Sequence, residues 1–377
     1  MKTLLRSGGL YGVLQTCRKI GGRAWMGTCR KLFGIRRKRV FFSSFRGKSY
    51  SDSPRCISEN LHRLRPDLQI VWQLSRHAYD GDVPVYVKTI SPRTPKTLYY
   101  IATSRCIVDN FNRPMYMRKY DGQLYVQTWH GDRGFKKMQL DMNPSADYPD
   151  GRQMDLGVSG SDFGTKLYRS AFGYSGEVLQ VGMPRNDCLL HPDHAKMRRT
   201  RERLNIPEGA RILTYAPTFR DDAIGAAQSA PFDIEHALHV LSQKNHENWV
   251  CLVRSHDLGG KIETSANVID ATYYPEMAEI LAVTDILVTD LSSSAGDFLL
   301  TGRRIVLYQP PADHRALYMR LEDTGYRMAH TPEQLEQFLT DDDDDALRNQ
   351  SVLAFYGATE SGNASRAVAE WIAQRIS

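Results

Sequence analysis

The chain has 377 residues, 41% of them hydrophobic, and a formal net charge of +6; that length and apolar content suit two globular domains with separate cores. Its six cysteines (Cys17, Cys29, Cys56, Cys106, Cys188 and Cys251) form no C-x-x-C pair and stand near no histidine cluster, which points to reduced thiols of a cytosolic protein and against a structural zinc. No window approaches the eighteen or so uninterrupted apolar residues of a membrane-spanning helix, and the first residues lack the apolar run of a cleaved signal peptide.

Charge is placed unevenly. Thirteen Lys and Arg residues and no acid precede Asp52, so the rest of the chain is net acidic. Residues 1–38 therefore read as a basic arm. Leu10, Val13, Leu14, Cys17 and Ile20 recur at helical spacing beside Arg18, Lys19 and Arg23, and Arg36–Arg39 closes the stretch. This suits a helix lying on an anionic membrane surface, apolar face inward and cations among the headgroups. Five glycines between positions 8 and 22 weigh against a helix. A nucleic-acid arm and a disordered tail are the rival readings; membrane association is preferred, and no nucleic-acid partner is expected.

After the arm, residues 40–44 read as a buried strand and Arg46–Pro54 as a polar loop leading into a helix near Leu64. Gly47-Lys48-Ser49 resembles the end of a phosphate-binding P-loop, but position 42 is Phe where the first glycine belongs, which excludes it. Strands are expected at 69–74, 85–88, 97–101, 106–108, 124–128, 155–159 and 177–181, with a helix over 161–172. The same alternation restarts after a helix near 196–204, with strands at 211–216, 249–253, 285–289 and 304–308 and a helix over 233–244. Strands alternating with helices predict parallel sheets with crossover helices. The acidic run Asp341–Asp345 reads as a solvated loop, and Val368, Trp371 and Ile372 mark an amphipathic closing helix.

In parallel sheets of this kind ligands sit at the C-terminal tips of strands. One such tip delivers His130, followed by Gly131 and a cluster of charge. With Asp132 nearby, its imidazole is suited to act as a general base toward a hydroxyl, and Lys136 and Lys137 are placed to steer an anion. A core histidine capping a strand is the bland alternative. Three tips in the second half carry groups suited to phosphate: Pro217-Thr218, Arg254-Ser255-His256, and Ser292-Ser293-Ser294 at a helix start flanked by Asp290 and Asp297. A single N-cap would account for one serine of that run, not three. Arg185, after Gly182-Met-Pro184, is expected where the chain passes between domains.

The motifs Phe45-Arg-Gly-Lys-Ser-Tyr-Ser-Asp-Ser-Pro54, Gln127-Thr-Trp-His-Gly131, Gly182-Met-Pro-Arg-Asn-Asp187, Tyr215-Ala-Pro-Thr-Phe-Arg-Asp221, Arg254-Ser-His256 and Thr289-Asp-Leu-Ser-Ser293 with Asp297-Phe298 resemble, in order and spacing, the CDP-glycerol glycerophosphotransferases of teichoic-acid synthesis. The resemblance runs from about Val40 to the C-terminus and includes Gly362-Asn-Ala-Ser-Arg366. It implies an α/β, GT-B-like fold of two doubly wound Rossmann-like domains facing a central cleft. The expected divisions are 1–38 for the arm, 39–186 for an acceptor-side domain, 187–360 for a nucleotide-donor domain and 361–377 for the closing helix.

The resemblance further implies transfer of glycerol phosphate from CDP-glycerol to a hydroxyl of a lipid-linked or growing wall polymer, with release of CMP. The chain would work peripherally on the cytoplasmic face of the membrane. His130 and His256 become the expected catalytic pair. Donor contacts carried over by position are Gly131, Asp132, Arg133, Gly134, Arg185, Pro217, Thr218, Arg254, Ser255, Ser292, Ser293 and Asp297. No cofactor beyond the CDP-activated donor and no metal is expected. The family's His-Gly-Thr-Pro-Leu-Lys reads His130-Gly-Asp-Arg-Gly-Phe-Lys136 here, and its Asp-Tyr-Ser-Ser reads Asp290-Leu-Ser-Ser293. The first departure marks the His130 loop as the place to expect altered specificity. A CDP-ribitol transferase and a nucleotide-sugar glycosyltransferase of the same fold are the alternatives within this architecture, and a non-catalytic nucleotide binder is the alternative outside it.

Overall fold

A computed structural model describes residues 10–75, 82–114, 117–146, 148, 150–218, 230–255, 264–309 and 316–376. Thirteen strands among them form two all-parallel sheets. The first contains β1 (Arg36–Ser43), β2 (Gln69–Gln73), β3 (Lys88–Ile90), β4 (Ser104–Asp109), β5 (Leu124–Gln127), β6 (Leu156–Ser159) and β7 (Glu177–Gln180), in the order β3-β2-β1-β4-β5-β6-β7. The second contains β8 (Arg211–Ala216), β9 (Trp249–Val253), β10 (Val268–Asp270), β11 (Ile286–Thr289), β12 (Arg304–Tyr308) and β13 (Arg327–Ala329), in the order β10-β9-β8-β11-β12-β13. Each order reverses once, between β1 and β4 and between β8 and β11. Loops on either side of such a reversal diverge and leave a crevice at the strand tips.

Both faces of the first sheet are covered, which is why its strands read as unbroken apolar runs such as Val40-Phe41-Phe42. Ile57 and Leu61 from the helix Asp52–Leu64 pack on one face with Val368, Trp371 and Ile372. Tyr100 and Ile101 pack on the other, with Tyr168 and Phe172. The closing helix (Ala364–Arg375) thus returns to the first domain after the chain has built the second. Its free N-terminal amides are met by Asp187 of the crossing segment, whose carboxylate accepts from Ala364 N and Ser365 N at 2.9 Å each.

Three expectations from sequence change. Residues 97–101, rich in β-favouring side chains, lie in the helix Pro95–Thr103. Thr94 caps that helix, its hydroxyl accepting from Thr97 N, and Pro95 occupies its first turn; this start signal outweighs strand propensity. The strand expected at 85–88 is Lys88–Ile90, and Val85 is fully solvent-exposed. The basic arm is also not separate from the fold. Leu10–Phe33 forms one 24-residue helix, and its Met26 and Cys29 are fully buried in the first domain's core. Trp25 donates to Pro95 O at 2.8 Å and Arg30 to Asp121 O at 3.0 Å. Tertiary packing overcomes the helix-weakening glycines. The division expected at residue 38 falls inside β1, whose Arg39 is buried against Gln69 and Thr103.

The two domains meet on a buried ionic cluster. Arg133, fully buried, donates to Gly296 O at 2.9 Å and to Glu360 Oε1 at 2.8 Å, and pairs with Asp132 and Asp297 at 3.3 and 3.5 Å. Asp297 also accepts from Arg185 Nε at 2.9 Å and Asn186 Nδ2 at 2.9 Å. Glu360 accepts from Met183 N and Asn186 Nδ2. Gly296 allows this approach, because a Cβ there would lie 2.6 Å from Arg133 Cβ. Removing one member of such a cluster strands buried charge. Arg133→Met is expected to lower stability by about 3–5 kcal/mol, read by urea unfolding, and Glu360→Gln by less.

Candidate active site

His130 is placed by a backbone kink. Thr128 N continues the ladder to Asp109 O at 3.0 Å, and then Trp129 takes a left-handed φ of 53°. That conformation is uncommon for a non-glycine residue and costs on the order of 1 kcal/mol. The Gln127 side chain supports it by accepting from Trp129 N at 2.9 Å. The turned chain brings His130 Nδ1 to 2.7 Å from the carbonyl of Asn110. A carbonyl oxygen only accepts, so Nδ1 carries the hydrogen and Nε2 keeps a lone pair. Phe111 stacks on the imidazole at 5.0 Å, and Trp129 and Phe45 close around it at 4.1 and 5.6 Å. Burial lowers the His130 pKa below its ordinary value, against the opposing pull of the Asn110 carbonyl and of Asp52. The site therefore presents a neutral, oriented base.

The carboxylate expected beside His130 is turned away. Asp132 accepts from Gly160 N at 3.0 Å and Ser161 Oγ at 2.7 Å, and pairs with Arg133. Asp132, Arg133 and Asp297, expected as donor contacts, are buried members of the interdomain cluster. After the kink the loop dives between the domains, so its charges serve the joint. Asp52 is a carboxylate whose charge opposes the effect of burial on His130. Sequence reading passed over it as part of a polar loop, although it is the first acid of the chain and sits in the Ser-Asp-Ser-Pro run.

Other expected residues do come together. Gly131 faces Ser293 across the domain boundary so closely that a Cβ there would lie 2.8 Å from Ser293 Oγ; Gly134 meets the same serine less tightly. Lys136 bridges to Leu317, and Lys137 N donates to Ala316 O at 2.9 Å, so the loop is stitched to the second domain. Ser292 Oγ accepts from Ser294 N at 3.3 Å and Ser294 Oγ at 2.8 Å, while the side chain of Ser293, at the cap position, accepts no hydrogen bond from the helix it starts. That helix, Ser294–Phe298, is only five residues long. It offers one turn of amides rather than a long dipole.

The tips of β9, β8 and β11 are adjacent, as the motif order implies. Thr218 donates from N and Oγ1 to the Asp290 carboxylate at 2.8 and 2.7 Å, so Asp290 shapes the turn that carries Pro217. Arg254 donates through its guanidinium to Tyr274 O, and Ser255 N donates to Thr272 Oγ1 at 3.3 Å. His256 lies outside the described residues. Arg185 follows β7 and the left-handed Gly182 (φ 109°) in a short 3-10 turn. Its Nε and Nη2 grip Asp297, while Nη1 makes no hydrogen bond and lies 4.0 Å from Asp52 Oδ1. The loop that carries the imidazole thus meets a serine-lined helix start whose Asp297 is gripped by a buried arginine. This set can take a proton from an attacking hydroxyl and hold developing charge on a phosphoryl group.

The family model described as CDP-Glycerol:Poly(glycerophosphate) glycerophosphotransferase matches residues 26–374. The teichoic acid glycerol-phosphate transferase of Staphylococcus aureus is 30% identical over 289 residues, covering 71% of this chain and 73% of that protein. The teichoic acid poly(glycerol phosphate) polymerase of Bacillus subtilis is 29% identical over 299 residues, covering 73% of this chain but only 39% of the polymerase's length. A solved structure of the wall teichoic acid polymerase TagF superposes with a TM-score of 0.82 at 25% identity, covering 96% of this chain and 95% of that one. The match takes in both domains and the cleft between them, and on it this chain belongs to the CDP-glycerol:poly(glycerophosphate) glycerophosphotransferase family.

Proposed function

We propose that this chain transfers glycerol phosphate from CDP-glycerol to a hydroxyl of a lipid-linked or growing wall polymer. The acceptor oxygen forms a bond to the β-phosphorus, the bond from that phosphorus to the bridging oxygen breaks, and CMP leaves with the α-phosphate. His130 Nε2 takes the acceptor proton. Arg185, Arg254, Ser255, His256, Ser292 and Ser293 are assigned to the donor's phosphates, with Pro217 and Thr218 at the neighbouring turn. The observation that carries this reading is the oriented, neutral His130 in a loop pressed by Gly131 against Ser293 of the other domain. Glycerol is the chosen polyol because both relatives compared above are named for glycerol phosphate.

The chain is further assigned to an anionic membrane surface, peripherally and on the cytoplasmic face. Among the described residues no helix is long and apolar enough to cross a membrane. The first helix does expose Ile20 and Leu32, at 65% and 72%, among its cations. Large apolar side chains beside Lys and Arg suit the headgroup boundary.

With CDP-glycerol and a lipid-linked disaccharide, the chain is expected to release CMP and extend the acceptor by glycerol-phosphate masses. CDP-ribitol and nucleotide sugars should give little turnover, and faster release from either of them would overturn the choice of donor. His130→Gln should reduce kcat by at least about 100-fold. A base works only when neutral, and burial lowers the His130 pKa. The acid limb of kcat/KM should therefore fall below the ordinary imidazole value of about 6.5, with no further gain from His130 above it. Gly131→Ala should cut turnover by roughly tenfold or more, since the new methyl forces the loops apart, while circular dichroism stays unchanged. For the membrane, the doubly substituted Ile20→Glu, Leu32→Glu chain is expected to stop co-floating with phosphatidylglycerol vesicles yet retain CDP binding.

A further inference from the structure

Asp52 is held in place by contacts that ordinary helix capping does not require. It opens the helix Asp52–Leu64 with a left-handed φ of 62°, a conformation that Asp tolerates better than most residues but still at some cost. Its backbone N–H donates at 2.7 Å to Glu276 Oε2, a buried carboxylate of the second domain. Its Oδ1 accepts from Ser53 N at 2.6 Å, as an acid in a first helical turn commonly does. That local contact explains the residue type. It does not explain the left-handed backbone, the amide clamp reaching across the domain boundary, or Arg185 Nη1 at 4.0 Å.

Resting on the transfer reaction above, we propose that Asp52 is a positioning residue for it, fixing the Arg185 fork between two carboxylates and adding its negative charge to the surroundings of His130. The Arg185 fork is gripped by Asp297 through Nε and Nη2. With Asp52 at its third nitrogen the guanidinium cannot swing, and Nη1 keeps its hydrogen-bonding capacity for a phosphoryl oxygen. On the His130 side the ring N–H is spent on the Asn110 carbonyl. The imidazolium formed by proton uptake therefore has no carboxylate hydrogen bond at Nδ1, and Asp52 supplies the opposing charge through space. The strongest charged influences on the ring come from three elements around it: Asp52 from the helix, Arg185 from the crossing turn and Lys136 from its own loop. Asp52 is the acidic one of the three, and Arg185 and Lys136 oppose it.

The experiment uses the full chain labelled with 13C-histidine and follows the His130 ring signal, identified by its loss in His130→Gln, through a pH titration. Asp52→Asn preserves the shape, the acceptor for Ser53 N and tolerance of the left-handed backbone. In this variant the His130 midpoint is expected to fall by about half a pH unit or more. The acid limb of kcat/KM should move the same way, and kcat should drop roughly tenfold. Asp52→Glu should restore part of the midpoint. An unchanged His130 midpoint in Asp52→Asn overturns the assignment of Asp52, with or without turnover. A wild-type chain that releases no CMP overturns the transfer reading on its own.

Discussion

A guanidinium cannot be buried without anions around it, and Arg133 is fully buried where two domains meet. Its partners come from its own loop (Asp132), from the donor-side helix start (Asp297 and the Gly296 carbonyl) and from the segment returning to the first domain (Glu360). Each partner is also used by a second element: Asp132 by Gly160 and Ser161, Asp297 by Arg185, and Glu360 by Met183 and Asn186. Burial raises the carboxyl pKa values of Asp132 and Glu360, and the Arg133 charge is the largest influence opposing that rise. The relative placement of the domains, and with it the seating of the His130 loop on the serine-lined tip, rests largely on this buried cluster, with the Asp52–Glu276 clamp and the Lys137–Ala316 bond beside it.

The residues proposed for the chemistry border that joint. Gly131 touches Ser293, and Arg185 extends from Asp297 toward Asp52. Residues that look like ligand contacts and residues that hold the domains together are therefore neighbours in sequence, yet they face opposite ways. Where the resembled pattern has Thr-Pro-Leu between His-Gly and Lys, this chain has Asp132-Arg133-Gly134-Phe135, and the charges of Asp132 and Arg133 point into the interior. In this chain the loop fastens the two halves. The surroundings of the base itself come from elsewhere: Phe45, Phe111, Trp129 and the Asn110 carbonyl.

Much of the architecture was legible because parallel sheets buried on both faces leave continuous apolar runs ending in turn residues. The strands 211–216, 249–253 and 304–308 lie where those runs fall. Legibility failed where a short signal competed with a longer one. Thr94-Pro95 opens a helix through residues that favour strands, and β10 and β13, of three residues each, are too short to show a pattern.

At the site, the sequence by itself determined the residue types and the strand tips that carry them: the imidazole of His130, the Thr218 turn, Arg254-Ser255 and the serines at 292 and 293. Strand direction and the bend after each strand fix those positions locally. Only the tertiary structure decided which of the nearby charges face the cleft. In one dimension Asp132 is the carboxylate next to His130, and Asp52 belongs to a distant polar loop. A left-handed turn at Trp129 sends the first into the interdomain cluster, and a clamp from Glu276, 224 residues away, fixes the second 4.0 Å from Arg185. Side-chain direction after a kink, and the partner that stabilises it, are set by contacts between distant segments, which no local pattern encodes.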